Sequence, residues 1–391
     1  MTTVIEGFSN PAYQAVADAF AANFDNNDEV GASVCLTVDG ETVVDLWGGV
    51  KDTDTGAAWD KDTVSVVFSC TKAATALCAQ RLIDRGELDL DEKMSTYWPG
   101  FRGEGKDNAT VRMALNHSLG LPAFREPLKD GAYNDWDYMV ERLEAEAPWW
   151  TPGEKNGYHM ASFGWTVGEL VRRVSGKSLG AFFQDEIAGP LGLDFWIGLP
   201  EEIEPRVAPV IGFIPDADFV PTDFVKAVMS DKTSISHLAF LNSGKFYPNG
   251  REARAAEIGG ACGVGNARSL AMMYRPLANG GTIDGYTLLS PERIEDMRQP
   301  SMETDRDQTL LIPSRFGQGF MLSMENQDLP EGNSAAIGEK AFGHVGAGGS
   351  IGFADPERKF SFGYTMNKMG GGILLNQRGQ SLIDAAYGCL I

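Results

Sequence analysis

The chain has 391 residues and a formal net charge of −21, because 54 Asp and Glu outnumber 33 Lys and Arg. This excess of negative charge argues against nucleic acid or an anionic membrane as a partner. The sequence contains no run of about 18 apolar residues, so we expect no transmembrane helix. The first residues lack the basic and apolar regions of a secretory signal, and the five cysteines lack metal-ligand spacing. Both features favour a cytoplasmic protein with reduced thiols.

The first part of the chain alternates helical and strand patterns. Residues 11–24 carry apolar side chains at helical spacing and predict an amphipathic helix. Residues 32–38 and 42–47 are rich in β-forming residues and flank Asp39-Gly40-Glu41, which predicts a hairpin whose second strand is closed by Gly48-Gly49. The alanine- and leucine-rich run after Ser69 predicts another helix that ends near Gly86.

Residues 89–255 follow a different pattern. Strand-like runs are few, and loops rich in Pro, Gly and Asp separate short helices. These helices are predicted over residues 111–115, 138–145, 166–174 and 179–187, the last being stopped by Gly189-Pro190. The segment therefore predicts a mostly helical domain inserted into the rest of the chain.

The last part of the chain returns to a mixed pattern. Residues 267–274 predict a helix ended by Pro276, residues 350–354 and 359–366 predict a second hairpin, and residues 374–387 predict a final helix. The expected fold class is α/β, of the α+β type, with an antiparallel sheet flanked by helices. We expect residues 1–88 and 256–391 to form this discontinuous sheet domain, with residues 89–255 as the insertion.

Ser69 and Lys72 form a Ser-x-x-Lys pattern at the start of a predicted helix. Residues three apart lie on one helix face, so the Lys72 amine would lie beside the Ser69 hydroxyl. A serine hydroxyl needs a nearby base before it acts as a nucleophile. Burial and the positive end of the helix dipole both lower the pKa of a lysine, so Lys72 is a candidate base. The alternative is a helix with a capping serine and a solvated lysine.

Two further segments carry groups suited to the same chemistry. The turn-rich segment 149–160 contains Tyr158, and a phenol whose pKa is lowered by a lysine ammonium can take a proton and return it. The segment 342–350 has too many glycines for a strand selected for stability, which indicates that a ligand approaches its backbone closely. Its N–H groups are suited to half of an oxyanion hole, with the Ser69 N–H as the other half. A bulged edge strand is the alternative.

Other candidate residues are weaker. Residues 348–352 match Gly-x-Ser-x-Gly around Ser350, but that nucleophile elbow requires a later histidine and a helix after the serine. None of the four histidines follows Ser350, and a strand hairpin is predicted there. Cys70 is expected to point to another face of the helix. Phe124 and Trp150 are candidate walls of an acyl pocket, with core packing as the alternative. No His, Asp and Glu spacing indicates zinc.

The order Ser-x-x-Lys, tyrosine motif and Lys-Thr-Gly-like motif resembles that of serine β-lactamases and penicillin-binding proteins. The chain resembles most the family VIII carboxylesterases, which are similar to class C β-lactamases. The matching stretches are residues 43–49, 67–77, 116–122, 150–168, 263–281 and 343–367, which together span nearly the whole chain.

The resemblance implies a β-lactamase-like fold and a role for each matching residue. Ser69 would be the acylated nucleophile, Lys72 its general base and Tyr158 the second proton carrier. The N–H groups of Ser69 and Ala347 would form the oxyanion hole. The resemblance implies no metal and no cofactor.

His344-Val345-Gly346 would stand where β-lactamases have Lys-Thr-Gly, which makes His344 and Gly346 candidate substrate-binding residues. A histidine is mostly neutral near pH 7, unlike the lysine of the β-lactamases. Class C β-lactamases also have asparagine where Met160 stands, and a thioether cannot donate an amide hydrogen bond. Both differences favour neutral esters over β-lactams that carry a carboxylate.

The sequence therefore predicts a serine carboxylesterase that hydrolyses short-chain neutral esters through a Ser-Lys-Tyr acyl-enzyme mechanism. On the same scaffold, the alternatives are a β-lactamase and an amide or D-amino-acid peptide hydrolase. From a different class, the alternative is a catalytically silent scaffold protein. The expected partner is a small-molecule ester, and the oligomeric state is left open.

Overall fold

The computed structural model describes residues 3–215, 219–324, 335–372 and 374–390. The strands are β1 Ile5–Ser9, β2 Gly31–Val38, β3 Glu41–Asp52, β4 Ala57–Ala58, β5 Val64–Val66, β6 Phe195–Trp196, β7 Val207–Ala208, β8 Val264–Gly265, β9 Thr282–Ile283, β10 Tyr286–Thr287, β11 Met302–Thr304, β12 Ser314–Phe316, β13 Met321–Leu322, β14 Phe342–Val345, β15 Ile351–Asp355 and β16 Phe360–Met366.

The helices are α1 Gln14–Asn26, α2 Thr71–Asp84, α3 Met94–Tyr97, α4 Val111–Leu115, α5 Trp136–Ala145, α6 Phe163–Ser175, α7 Leu179–Phe183, α8 Gly189–Leu191, α9 Asp223–Ser230, α10 Ile235–Leu241, α11 Arg251–Ala255, α12 Ala267–Ala278, α13 Pro291–Met297 and α14 Gln377–Cys389. No helix among the described residues is both long and apolar enough to cross a membrane.

The large sheet is antiparallel, as the sequence predicts. Within the described ranges its strand order is β1-β3-β2-β16-β15-β14-β13-β12-β11, with β4 paired to β3. The predicted hairpin partners β2 and β3 are neighbours, and so are β15 and β16. Every residue of β15 and β16 is buried, because helices cover both faces of the sheet at this point.

Helices from the two ends of the chain cover one face of the sheet, and a helix from its later part covers the other. The first core contains Val16 and Phe20 of α1 and Leu382 of α14, together with Phe353 and Phe362 of the sheet. On the other face, α12 packs against β2, β15 and β16. The prediction of a sheet flanked by helices is therefore confirmed.

Helix α2 lies in the middle of a second core. Its alanines Ala73, Ala74, Ala76 and Ala79 are fully buried, and their small side chains allow neighbouring elements to come close. It packs against α6 and α7 on one side and contacts β14 on the other. A short sheet in the order β6-β8-β5-β7 ends next to the first turn before α2. The start of α2 is thereby held between strand β14 of the large sheet and helices α6 and α7.

Several predicted element ends differ from the structure, and three of the differences have a clear physical reason. Strand β3 continues past Gly48-Gly49 to Asp52, with Gly49 at a φ of 84°. Helix α12 includes Pro276, because the burial of Leu277 and Ala278 outweighs a proline cost of about 3 kcal/mol. The chain also remains helical through Gly189-Pro190. Pro190 lies in the first turn of α8, where the lack of a backbone N–H in proline costs no helical hydrogen bond.

Candidate active site

The nucleophile candidate lies in a tight turn between β5 and α2. Residues Phe68–Cys70 form a 3-10 turn, and Phe68 adopts a φ of 45°, which is uncommon for a residue with a large side chain. The Thr71 hydroxyl donates to the Phe68 carbonyl at 2.5 Å and accepts from the Gly263 N–H at 2.7 Å. These two bonds tie the turn to the strand beside it. Ser69 is thus held, half-buried, in this turn. The α-helix that the sequence predicts to begin at about Ser69 begins at Thr71.

Lys72 lies one helical turn from Ser69, as predicted. Its Nζ is 3.0 Å from the Ser69 Oγ, and it donates to the carbonyls of Met160 and Gly260 at 2.6 Å each. The side chain is fully buried, and this burial holds the pKa of the amine well below its usual 10.5. A neutral amine has two hydrogens and one lone pair. With both hydrogens donated to carbonyls, the lone pair is left for the proton of Ser69.

Tyr158 approaches the same pair from a distant loop. Its ring centroid is 4.7 Å from the Lys72 Nζ, and the ring packs against His117 and Phe316. Burial raises the pKa of the Tyr158 phenol above its usual 10, and the contact with the Ser69 side chain only partly opposes this rise. The prediction that a lysine ammonium lowers this pKa is therefore wrong, because the effect of burial on the phenol is the largest one. The buried phenol is a proton donor at neutral pH.

Asp307 fixes the backbone at Tyr158, a role that sequence reasoning missed. Both carboxylate oxygens lie 3.0 Å from the Tyr158 N–H, and one of them also accepts from the N–H groups of Thr309 and Leu310. The Ser314 hydroxyl donates to the other oxygen at 3.2 Å. An aspartate among many in an acidic chain carries no local pattern for such a role.

The histidines on either side of this tyrosine are structural. His159 accepts from the Leu121 N–H at 3.0 Å and has its other ring nitrogen 2.8 Å from the Gly157 carbonyl. His117 accepts from the His159 N–H at 3.1 Å. Burial lowers the pKa of His159 to about 3 and that of His117 well below its usual value, so both rings are neutral. They pack the loop that carries Tyr158.

The glycine-rich segment lies against the nucleophile turn. A Cβ at Gly346 would lie 2.2 Å from the Val67 carbonyl oxygen, so only glycine allows this approach. Residues 346–349 form a turn in which the Gly349 N–H donates to the Gly346 carbonyl at 3.0 Å. In the described part of the chain, neither the Ser69 N–H nor the Ala347 N–H has an acceptor. Two such free donors are what an oxyanion hole requires.

His344 supplies no positive charge to this site. Burial, with a smaller effect of Lys72, lowers the pKa of His344 to about 3. The Nδ1 lies 2.7 Å from the Val345 carbonyl and acts as its donor, whereas the buried Nε2 has no partner among the described residues. The ring centroid lies 6.0 Å from that of Tyr158. His344 is therefore a neutral ring with an unused acceptor.

The two rejected nucleophile candidates, Ser350 and Cys70, are buried and donate to backbone carbonyls. The Ser350 hydroxyl is buried and donates to the Val67 carbonyl at 3.1 Å. The Cys70 thiol donates to the His344 carbonyl at 3.2 Å, and burial raises its pKa to about 12. Among the described residues, no three His, Cys, Asp or Glu side chains are arranged to hold a metal ion.

Phe124 and Trp150, the candidate pocket walls, are almost completely buried. Phe124 is 4% exposed and belongs to the same core as α2. Trp150 is 7% exposed, donates to the Ser118 carbonyl at 3.1 Å and packs over Gly157, where a Cβ would lie 2.4 Å from its ring. Trp150 thus supports the loop that carries Tyr158, and a substrate-binding role for either residue stays a prediction.

Comparisons with known proteins agree with this geometry. A family model described as Beta-lactamase matches residues 16–384. The Esterase/beta-lactamase LipL of Mycobacterium tuberculosis (strain ATCC 25618 / H37Rv) is 35% identical over 377 residues, which cover 93% of this chain and 83% of LipL.

Two solved structures are also closely similar. That of a family VIII carboxylesterase has a TM-score of 0.88 at 37% identity and covers 99% of this chain and 100% of that chain. A penicillin-binding protein homologue from Caulobacter crescentus has a TM-score of 0.89 at 35% identity with the same coverage. The predicted β-lactamase-like fold is confirmed, and the chain belongs to the beta-lactamase family and is a serine hydrolase.

Proposed function

We propose that the protein hydrolyses short-chain, uncharged carboxylic esters through an acyl-enzyme formed on Ser69. In the first half-reaction the Ser69 oxygen attacks the ester carbonyl carbon while its proton moves to the Lys72 lone pair. The N–H groups of Ser69 and Ala347 stabilise the oxygen on which negative charge develops. The intermediate then collapses, the bond to the alcohol breaks, and Tyr158 donates its phenol proton to the leaving oxygen. Lys72 returns the proton to Tyr158, so both groups regain their starting states.

The second half-reaction uses the same groups with water in place of serine. Water attacks the acyl carbon and gives its proton to the Lys72 amine. The carboxylic acid leaves, and the proton returns to the Ser69 oxygen. Neither half requires a metal or a cofactor, because the proton transfers and the backbone donors account for every charge that develops.

The preference for uncharged esters follows from what surrounds the nucleophile. A penicillin or cephalosporin carries a carboxylate, which a fixed cation such as a motif lysine binds. His344 is buried and neutral at that position, and Met160 offers its carbonyl to Lys72 and a thioether in place of an amide. The words esterase and carboxylesterase in the names of two relatives support esters as the substrates.

The single observation that carries the proposal is the surroundings of the Lys72 amine: full burial, two carbonyl acceptors and one serine hydroxyl. The test is covalent labelling with a fluorophosphonate, read by intact mass. Wild type and Ser350→Ala should each gain one adduct, whereas Ser69→Ala should gain none and should not hydrolyse a nitrophenyl acetate. Labelling that persists in Ser69→Ala but disappears in Ser350→Ala would show that Ser350, and not Ser69, is the nucleophile.

Amide hydrolysis of β-lactams is the second candidate, since the LipL name includes beta-lactamase. The ratio of kcat/KM for a short-chain nitrophenyl ester to that for a chromogenic cephalosporin separates the two. We expect the ester to be the better substrate by at least about 10²-fold, because the site lacks a cation for the carboxylate. A ratio below one would make the protein a β-lactamase. Failure of wild type to form any adduct would favour a silent scaffold.

A further inference from the structure

The turn that offers the Ala347 N–H is held from behind by the start of α14. Its Gly348 carbonyl accepts from the Asn376 side-chain amide at 2.7 Å and from the Gly370 N–H at 3.0 Å. An Arg378 guanidinium nitrogen lies 3.5 Å from the same oxygen. One carbonyl thus has three donors around it, only one residue beyond the free N–H. Because a peptide unit is planar, fixing this carbonyl also fixes the Gly349 N–H, which donates to the Gly346 carbonyl at 3.0 Å. The Gly346 carbonyl lies in the same peptide unit as the Ala347 N–H.

Asn376 performs two separate tasks with its two amide atoms. Its Oδ1 accepts from the Arg378 N–H at 3.1 Å and from the Gly379 N–H at 3.5 Å, which makes it the N-cap of α14. Its Nδ2 is then free to donate to Gly348. A cap needs only an acceptor, and Asp or Ser would serve as well. The donor half of asparagine is therefore the part that the helix does not need.

The backbone of the turn is shaped to meet this amide. Gly348 and Gly349 have φ values of 86° and 116°, which residues with a side chain rarely adopt. A Cβ at Gly349 would lie 2.4 Å from the Asn376 Nδ2. The two glycines thus allow both the turn and its close contact with the asparagine.

The start of α14, which carries Asn376, is held in place by buried polar contacts. Arg378 and Glu29 form an ion pair at 3.0 Å in which both side chains are buried, and Arg378 also donates to the Lys368 carbonyl at 2.7 Å. The Tyr364 hydroxyl donates to the other oxygen of Glu29. A buried, fully bonded pair of this kind restricts the start of α14 to one position.

We propose that Asn376 is a positioning residue for the oxyanion hole, and that its Nδ2 sets the direction of the Ala347 N–H through the Gly348 carbonyl. The inference rests on the proposed hydrolysis, since it concerns the negative charge that develops during that reaction. A donor that is tilted away binds the ground-state ester about as well but stabilises the transition state less. The effect should therefore fall on kcat and on transition-state analogues.

The test replaces the donor and keeps the cap with Asn376→Asp. We expect kcat for a nitrophenyl ester to fall at least about tenfold while KM changes by less than about threefold. The affinity for an alkylboronic acid, which forms a charged tetrahedral adduct on Ser69, should weaken by the same factor as kcat/KM. Melting temperature checks that the cap is retained. If Asn376→Asp does not fold, Asn376→Ser serves in its place, since serine also caps helices and is one bond shorter.

Asn266→Asp is the matched control. Asn266 is the buried N-cap of α12, with its Oδ1 accepting from the Ser269 N–H at 2.9 Å, but its Nδ2 has no acceptor in the described residues. This variant should keep kcat and boronate affinity within about threefold of wild type.

Three results would overturn the inference. The first is an Asn376→Asp enzyme whose kcat and boronate affinity match those of wild type. The second is a loss that appears in KM alone, and the third is an equal loss in Asn266→Asp. A wild type that neither hydrolyses the ester nor binds the boronate would refute the proposed function itself, and the inference with it.

Discussion

Two buried lysines of this protein have nearly the same contacts and different charges around them. Lys72 donates to the carbonyls of Met160 and Gly260 and lies 4.7 Å from the centre of the Tyr158 ring. Lys106 donates to the carbonyls of Glu144 and Glu146 and lies 5.6 Å from the centre of the Phe101 ring. Lys72 is 0% exposed and Lys106 is 1% exposed. Burial lowers the pKa of both amines.

The difference lies in the acidic side chains. Four carboxylates surround Lys106 and oppose the effect of burial on its pKa: those of Glu104, Glu146, Glu144 and Asp107. Around Lys72, the only group of the described ranges that opposes the effect of burial is the Cys70 thiol, which is un-ionised at neutral pH since its own pKa is about 12. The third neighbour of Lys72 is a hydroxyl. Burial thus lowers the pKa of a lysine furthest where negative charge is kept away from it, which is what the proposed role of Lys72 as a base requires.

Arginine substitutions break the comparison most sharply. A guanidinium remains charged at any pH a protein tolerates, so it can donate to carbonyls but cannot accept a proton from serine. We expect Lys72→Arg to lower kcat/KM for a short ester at least about 10³-fold, and Lys106→Arg to change it by less than about threefold. Initial rates with a nitrophenyl ester measure both. Equal losses in the two variants would mean that Lys72 acts only as a structural cation.

Removing the phenol makes the surroundings of Lys72 more like those of Lys106. We expect Tyr158→Phe to lower kcat about 10²-fold, because the leaving alcohol loses its proton donor while the ring still packs. Tyr133→Phe is the control, since burial also raises the pKa of Tyr133 but its ring packs against Trp165, away from the nucleophile. A Tyr158→Phe enzyme with full activity would leave Lys72 as the sole proton carrier.

The pH dependence sharpens the assignment of the base. Lys72 must be unprotonated, so kcat/KM should rise about tenfold per pH unit on the acid side and level off above an amine pKa well below 10.5. Because the pKa of Tyr158 is raised above 10, the phenol stays protonated and the plateau should continue to about pH 10. Rates that still climb beyond pH 10 would instead point to the tyrosinate as base. Lys106→Arg should leave the profile unchanged.

The smallest effect on activity is expected where the lysine has only a structural role. Lys106→Met should leave kcat/KM within about threefold of wild type. It removes the donor to two buried carbonyls, each at a cost of about 1–3 kcal/mol, so the free energy of unfolding should decrease. Urea unfolding followed by circular dichroism measures this change. Unaltered stability together with lost activity would place Lys106 in the catalytic machinery.

The sequence predicted which side chains meet at the candidate site better than it predicted the contacts that support them. Ser69 and Lys72 follow from local helical spacing, and the pattern of motifs brought Tyr158 to them. The carbonyls that bind Lys72 come from Met160 and Gly260, 88 and 188 residues away, and a carbonyl has no sequence pattern of its own. The raised pKa of Tyr158 depends on burial in the folded chain, which no single position reveals.

The same distinction holds for the fold. Both β-hairpins and the helices flanking the sheet were predicted, because period and turn residues are local signals. Strand β1 and the continuation of β3 beyond Gly49 were missed, since β1 is short and pairs along β3. Helix α12 continues through Pro276 for a tertiary reason, the burial of the residues after it. The division of the chain at residues 88 and 256 stays a prediction.

The contacts of Lys72 also determine when, during folding, the protein becomes chemically active. Three segments that are far apart in the chain must meet around this amine before water is excluded from it. Until the last of them docks, water reaches the lysine and favours its charged form. If the proposed mechanism holds, nascent or partly unfolded chains carry no reactive nucleophile, and the appearance of labelling by a fluorophosphonate during refolding should mark the completion of the native state.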